Sequence, residues 1–186
     1  MLVTPPVFEW GDVIPSPCAK LDTILTHGTL ILMPQLPDVP LDGLYGDLVM
    51  DHYRNPRNRE CLSDADVEAE EFNPFCGDRA ILQLKLDSQG RVCGVSARAE
   101  GCSIIQAATS MLSGLLQGKS LGEVDELGAR FRAAMKNGAE DEDDELELGD
   151  LRALQVVRRY PVRIKCALLP LTALEEGIKA YRKKTG

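Results

Sequence analysis

Six cysteines (Cys18, Cys61, Cys76, Cys93, Cys102 and Cys166) and only two histidines, His27 and His52, set the chemistry open to this 186-residue chain. Cys76 lies in the turn sequence Asn73-Pro-Phe-Cys-Gly-Asp-Arg79. Asp78 follows it across one glycine, so thiolate and carboxylate can point into one space. Cys102 follows Gly101 where a strand pattern gives way to a helix pattern. Cys166 is expected at the start of a last helix, behind the basic run Arg158, Arg159, Arg163 and Lys165, and no acid occurs between Leu151 and Cys166. Helix N-termini and neighbouring cations lower a thiol's pKa, and the thiolate is the form that binds metal or attacks an electrophile. Three thiolates and one carboxylate would make a tetrahedral, sulphur-rich set suited to zinc or iron–sulphur chemistry rather than magnesium or calcium. Arg79, Arg163 and Lys165 are the cations expected to offset its negative charge. No compact motif ties these residues together. Spacing alone therefore leaves open the plainer reading of each cysteine as a small, half-buried hydrophobe.

The elements that must position them follow from periodicity. Asp42 can cap a first helix carrying Leu44, Tyr45, Leu48, Val49 and His52 on one side, with Pro56 stopping it. His52 reads as a helix-surface residue rather than a ligand. Leu82, Leu84 and Leu86 alternate with Gln83 and Lys85, and Asp87-Ser-Gln-Gly90 supplies a turn. Val92–Glu100 then returns with Cys93, Val95, Ala97 and Ala99 on one face. Cys93 is thereby assigned to the core, and Val67–Phe72 reads as a third strand. After Cys102 the period becomes helical through Ile104, Ile105, Ala108, Met111, Leu112, Leu115 and Leu116. Ser120-Leu-Gly-Glu123 is a capping box for a helix towards Lys136, ended near Gly138. A short helix near Leu151–Val157 precedes Pro161, and a final one from about Cys166 ends in Arg182, Lys183 and Lys184, cations suited to its C-terminal dipole. Strands followed by helices predict an α+β domain, a small three-stranded antiparallel sheet packed against several helices.

Composition narrows the function. The net charge is −8, yet eight of the 29 acids fall within residues 140–150, leaving 21 acids against 21 bases elsewhere. That run, within an acidic loop at 139–150, reads as a solvated loop. The neutral remainder offers no broad basic face for a phosphate backbone, which argues against nucleic acid as a partner. No stretch approaches the roughly 20 apolar residues of a membrane helix. Residues 1–20 lack a positively charged start followed by an apolar stretch, so no secretory signal is read and a cytoplasmic location is expected. Thiols in that setting serve metal binding or catalysis more often than disulfides. A two-Cys, two-His finger would need a close CxxC pair, which is missing, and few histidines remain to serve a nucleophile–base triad. Residues 1–43 hold seven of the eleven prolines and read as an N-terminal extension to a domain at 44–186, with Met33 as an alternative start.

Four segments carry a family resemblance. Leu44-Tyr-Gly-Asp-Leu-Val-Met-Asp-His-Tyr-Arg-Asn-Pro-Arg-Asn58, the turn around Cys76, Gly101-Cys-Ser-Ile-Ile-Gln-Ala-Ala-Thr-Ser-Met-Leu112 and Arg163-Ile-Lys-Cys-Ala167 occur in the order of the iron–sulphur cluster assembly family. That family comprises the IscU and NifU N-terminal scaffolds and their SufU relatives. Lys165 stands where the scaffold type has histidine, and an insertion spans roughly Glu123–Arg159; both features resemble the SufU branch. The resemblance implies zinc held by Cys76, Asp78, Cys102 and Cys166. It also implies a sulphurtransferase-type role in which Cys76 accepts sulphur from a SufS-type cysteine desulfurase, a pyridoxal-phosphate enzyme, for a downstream SufBCD-type scaffold. The alternative it carries is a scaffold on which an iron–sulphur cluster is assembled and transferred.

Because the resemblance begins at about Leu44, a chain starting at Met33 should bind zinc and melt like the full-length protein. A fall of several degrees in melting temperature, or lost zinc, would make the extension structural.

Overall fold

The computed structural model describes residues 46–137 and 147–186. The expected Asp42 cap, the strand-like stretch at Thr23–Met33, Gly138 and the bulk of the acidic run lie outside them. Helix α1 (Asp47–Arg54) leads into strands β1 (Val67–Asn73), β2 (Asp78–Leu86) and β3 (Val92–Glu100), then helices α2 (Ser103–Leu116) and α3 (Leu121–Asn137), a 3₁₀ segment (Gly149–Arg159) and α4 (Pro161–Thr185). The sheet is antiparallel in the order β1-β2-β3, as the alternation predicts. Val67 pairs with Leu84 and Asn73 with Asp78 at the far end of the hairpin. Alternate residues Val67, Ala69, Ala80, Leu82 and Leu84 form one buried face, covered by α2 and α4. Burying each leucine there is worth about 1.5–3 kcal/mol.

Three departures from the sequence reading have local causes. Leu86 pairs with Val92 while Lys85 pairs with Gly94, so Cys93 is the extra residue of a β-bulge. The bulge turns Cys93 out to solvent and puts Val92 into the core in its place, while Val95, Ala97 and Ala99 keep the expected side. The helix expected at Leu151–Val157 is a 3₁₀ helix, in which residues three apart eclipse; Leu151, Leu154 and Val157 are all buried as a result. Helix α4 begins at Pro161, five residues before Cys166. Proline at its first position lacks only an N–H that would have had no helical partner.

The capping box forms as expected: the Ser120 N–H donates to Glu123 Oε2 at 2.7 Å and the Glu123 N–H to Ser120 Oγ at 3.3 Å. These Ser120 donors pull the Glu123 carboxyl down to about 2. Helix α4 lies so close to β1 that a Cβ on Gly177 would sit 2.7 Å from Ala69 Cβ and 2.8 Å from the Glu68 carbonyl oxygen. Any larger residue there would push helix and sheet apart.

His52 is buried, at 4% exposure, not on the surface. Its Nδ1 lies 2.8 Å from Ser110 Oγ on α2 and its Nε2 3.0 Å from Asp150 Oδ2 in the 3₁₀ segment. Ser110 Oγ already accepts the Arg57 N–H at 2.9 Å, so its own hydrogen is free to point at Nδ1. A ring that donates from Nε2 and accepts at Nδ1 then satisfies every partner. The end of the acidic run is accordingly structured rather than solvated: Leu148 is fully buried, Asp150 holds His52, and Glu147 pairs with Arg130 at 2.7 Å. His52→Ala should cost about 2–3 kcal/mol by opening a cavity and stranding the buried Ser110 hydroxyl. Thermal melts should fall by about 5–10 °C. An unchanged melt would show that the three elements are joined by apolar packing alone.

Candidate metal centre

The β1–β2 hairpin closes through Pro74, Phe75, Cys76 and Gly77. The Gly77 N–H donates to the Asn73 carbonyl at 2.9 Å and the Phe75 N–H to Asn73 Oδ1 at 3.1 Å. Gly77 has φ +74, a conformation that side chains resist, and it returns the chain into β2 at Asp78. Cys76 is thus held on an exposed turn while Asp78, two residues on, is 2% exposed under the sheet edge.

Cys102 enters at the same end of the sheet, just past β3, whose Glu100 pairs with Arg79, and is the N-cap residue of α2. Its N–H donates to Asp78 Oδ1 at 3.1 Å, and its Sγ lies 3.6 Å from Asp78 Oδ2. Gly101 makes that approach possible. With φ +130, any Cβ there would lie 2.1 Å from Asp78 Oδ1 and 2.8 Å from its Cγ. Cys166 completes the group from the second turn of α4, at 2% exposure. One ligand atom from each of Cys76, Asp78 and Cys166 lies within 4.8 Å of the others. The four expected ligands therefore meet: three as one cluster, with Cys102 in contact with Asp78.

The electrostatics differ from the sequence expectation. Cys166 is not at a helix N-terminus; burial pushes its thiol well above the usual range, and the neighbouring Asp78 and Cys102 push it further. Burial also works against the Asp78 carboxylate. The Cys166 thiol, the Cys102 N–H and the thiols of Cys76 and Cys102 outweigh it and hold the carboxyl below its ordinary value. Arg79 is likewise not a counter-charge for the sulphurs. Strand alternation places it on the opposite sheet face from Asp78, where it pairs with Glu70 at 2.7 Å. Arg163 and Lys165 lie exposed on the first two turns of α4.

This donor set fits a zinc ion. Ligands about 2.3 Å from a tetrahedral zinc stand about 3.8 Å apart, inside the 4.8 Å span of the cluster and close to the 3.6 Å between Cys102 Sγ and Asp78 Oδ2. The Cys166 thiol, buried beside the Asp78 carboxylate, can become a thiolate only with a cation among these groups. Gly101 was absent from the expected ligand set. Its signal is a glycine directly before a strand-to-helix cysteine, a position that asks for close backbone approach. Among the described residues no helix is long and apolar enough to cross a membrane.

Residues 44–186 match the NifU-like N-terminal domain family. Over 138 residues, 74% of this chain and 91% of the relative, it is 42% identical to "Zinc-dependent sulfurtransferase SufU" of Bacillus subtilis. Over 140 residues, 75% of this chain and 85% of the relative, it is 36% identical to "Iron-sulfur cluster assembly scaffold protein IscU" of Streptococcus pyogenes. Among solved structures, the putative SUF-system scaffold FiSufU of Fervidobacterium islandicum aligns at TM-score 0.66 and 28% identity, covering 73% of this chain and 97% of that one. The N-terminal domain of a NifU-like protein of Brucella abortus aligns at TM-score 0.68 and 21% identity, covering 77% and 98%, and supports the fold.

Gly101→Ala should abolish tight zinc retention, because its Cβ occupies the place of the Asp78 carboxylate. Metal analysis after dialysis against a chelator should find zinc in the parent and little in the variant. Retention equal to the parent would mean that Asp78 is not a ligand.

Proposed function

Because the chain belongs to the NifU-like N-terminal domain family, we propose that it is a cytoplasmic, zinc-dependent sulphur acceptor in iron–sulphur cluster assembly, served by a SufS-type cysteine desulfurase and supplying a SufBCD-type scaffold. The metal ligands are Cys76, Asp78, Cys102 and Cys166, and the working domain is 44–186 with residues 1–43 as an extension. The similarity to a zinc-dependent sulfurtransferase supports this reading. The observation that carries it is the difference in exposure among the sulphurs: Cys76 is exposed, Cys102 half-buried and Cys166 buried. Of these three, the first is the one exposed to a sulphur carried by another protein.

Bound zinc would keep these thiolates deprotonated at neutral pH. The protein's own part is then a thiol–disulfide type exchange. Cys76 Sγ, as thiolate, attacks the terminal sulphur of the persulfide on the desulfurase. A new S–S bond forms on Cys76 as the partner's S–S bond breaks, and the partner's cysteine leaves as thiolate. The sulphur passes across with no net oxidation or reduction. The Gly77 turn presents Cys76 for this attack, while Asp78 and Cys166 stay fixed behind it.

A scaffold role is the second reading, favoured by the 36% identity to a scaffold protein and by donors that equally suit a cluster as cargo. Lys165, where the scaffold type carries histidine, weighs against it. Incubation of the purified chain with desulfurase and cysteine should place one extra sulphur on Cys76, read by intact mass and peptide mapping. Cys76→Ala should abolish stimulation of desulfurase turnover while leaving the fold intact. Sulphur found only on Cys102 or Cys166, or a brown protein as purified that passes its cluster to an apo-protein, would favour the scaffold.

A further inference from the structure

The outer surface of α4 carries a feature that the metal centre does not use. Two sockets lie side by side, sharing Leu168 and Arg132. The first, about 370 Å³, is walled by Phe72, Phe75, Lys165, Leu169 and Thr172. The second, about 340 Å³, is walled by Met135, Lys136, Arg158 and Ile164. Ile164, Leu168 and Thr172 recur every four residues, so the sockets follow one stripe of the helix whose successive members rise about 6 Å along its axis. Phe75 is 95% exposed and Phe72 54% exposed at the rim. Aromatic surface left in water beside apolar sockets marks a contact site.

The charge around the groove is one-sided. Arg132 is occupied by Glu175, with Nε 3.0 Å from Oε1. No carboxylate among the described residues pairs with Lys136, Arg158 or Lys165; Arg158 only reaches the Lys136 carbonyl at 3.5 Å. Among the lining residues Glu71 is the one acid. An occupant of these sockets gains from carrying negative charge and loses from carrying positive charge.

We propose that this groove docks an acidic helix of a partner protein, presenting two apolar side chains as residues i and i+4 between carboxylates. The stripe that floors both sockets steps by four residues, the interval at which a helix laid along it would present successive side chains, and the cations at both ends fix the sign of the flanking charge. A phosphate backbone would use the cations but leave the apolar sockets unfilled. The proposal does not rest on the sulphur-transfer reading, since Cys166 points away from this stripe into the interior.

The test uses the full chain and a fluorescein-labelled helical peptide of about 16 residues, rich in glutamate, with two leucines four apart. Saturable binding is expected by anisotropy at low salt. Combining Lys136→Glu with Arg158→Glu should weaken it about tenfold or more, as should replacing the peptide's leucines by alanine, with metal content and melting temperature unchanged. No saturable binding, or binding indifferent to either change, would overturn the proposal. So would equal binding of a single-stranded oligonucleotide of similar charge. A chain that self-associates and is made monomeric by the same two substitutions would assign the groove to a second copy instead.

Discussion

Everything around the metal centre depends on how a carboxylate is kept charged beneath a sheet. Asp78 is the first residue of β2, where its backbone must pair with Asn73 and its side chain must face the interior. Water is excluded there, so the charge survives only by accepting hydrogen bonds. The nearest backbone donor is the Cys102 N–H, one of the donors that a helix N-terminus leaves without a partner. One contact thus joins the sheet to α2, satisfies a helix end and sets two of the proposed ligands side by side. The missing Cβ of Gly101 is the steric condition for it. Cys166 is brought to the same point by α4, whose own position is fixed by close contact at Gly177.

The molecule has a second buried polar cluster, and the contrast is instructive. His52 bridges a serine and an aspartate, the residue types of a hydrolytic triad. Its geometry serves another purpose. Ser110 is 2% exposed and its oxygen already accepts the Arg57 N–H, so it presents no nucleophile to a substrate. The cluster instead joins α1, α2 and the 3₁₀ segment. Cys76 differs in the one respect that matters for chemistry: it lies on an exposed turn, backed by buried partners.

Much of this was legible in the chain. Leu82 and Leu84 reveal the strand through alternation, Ser120 and Glu123 the helix start, and the glycine beside each of Cys76 and Cys102 the turns that hold the ligands. What escaped depends on pairing rather than pattern. Cys93 leaves the core because the Lys85–Leu86 pairing slips by one residue, and register is a property of two strands. His52 sits on the inward side of α1 only because α2 and the 3₁₀ segment close over it. The three-residue spacing of Leu151, Leu154 and Val157 was visible, but a 3₁₀ run of this length is uncommon enough to be read as α-helix. Pro161 is itself a helix-start signal, since proline is favoured at the first helical position, and it places the start of α4 five residues before the expected Cys166.

Pro170 lies inside α4, four residues after Cys166. Proline has no N–H, so the helix lacks the rung that would otherwise tie position 170 to the Cys166 carbonyl. The turn bearing Cys166 is therefore joined to the rest of its helix by one fewer backbone bond than any neighbouring turn. In the language of local unfolding, a seam runs across α4 at this level, and opening there costs less than opening of the stretch packed on β1. Amide protection should consequently step up between the Cys166 turn and the segment around Gly177. The backbone ladder of one continuous helix is thus interrupted one turn after Cys166.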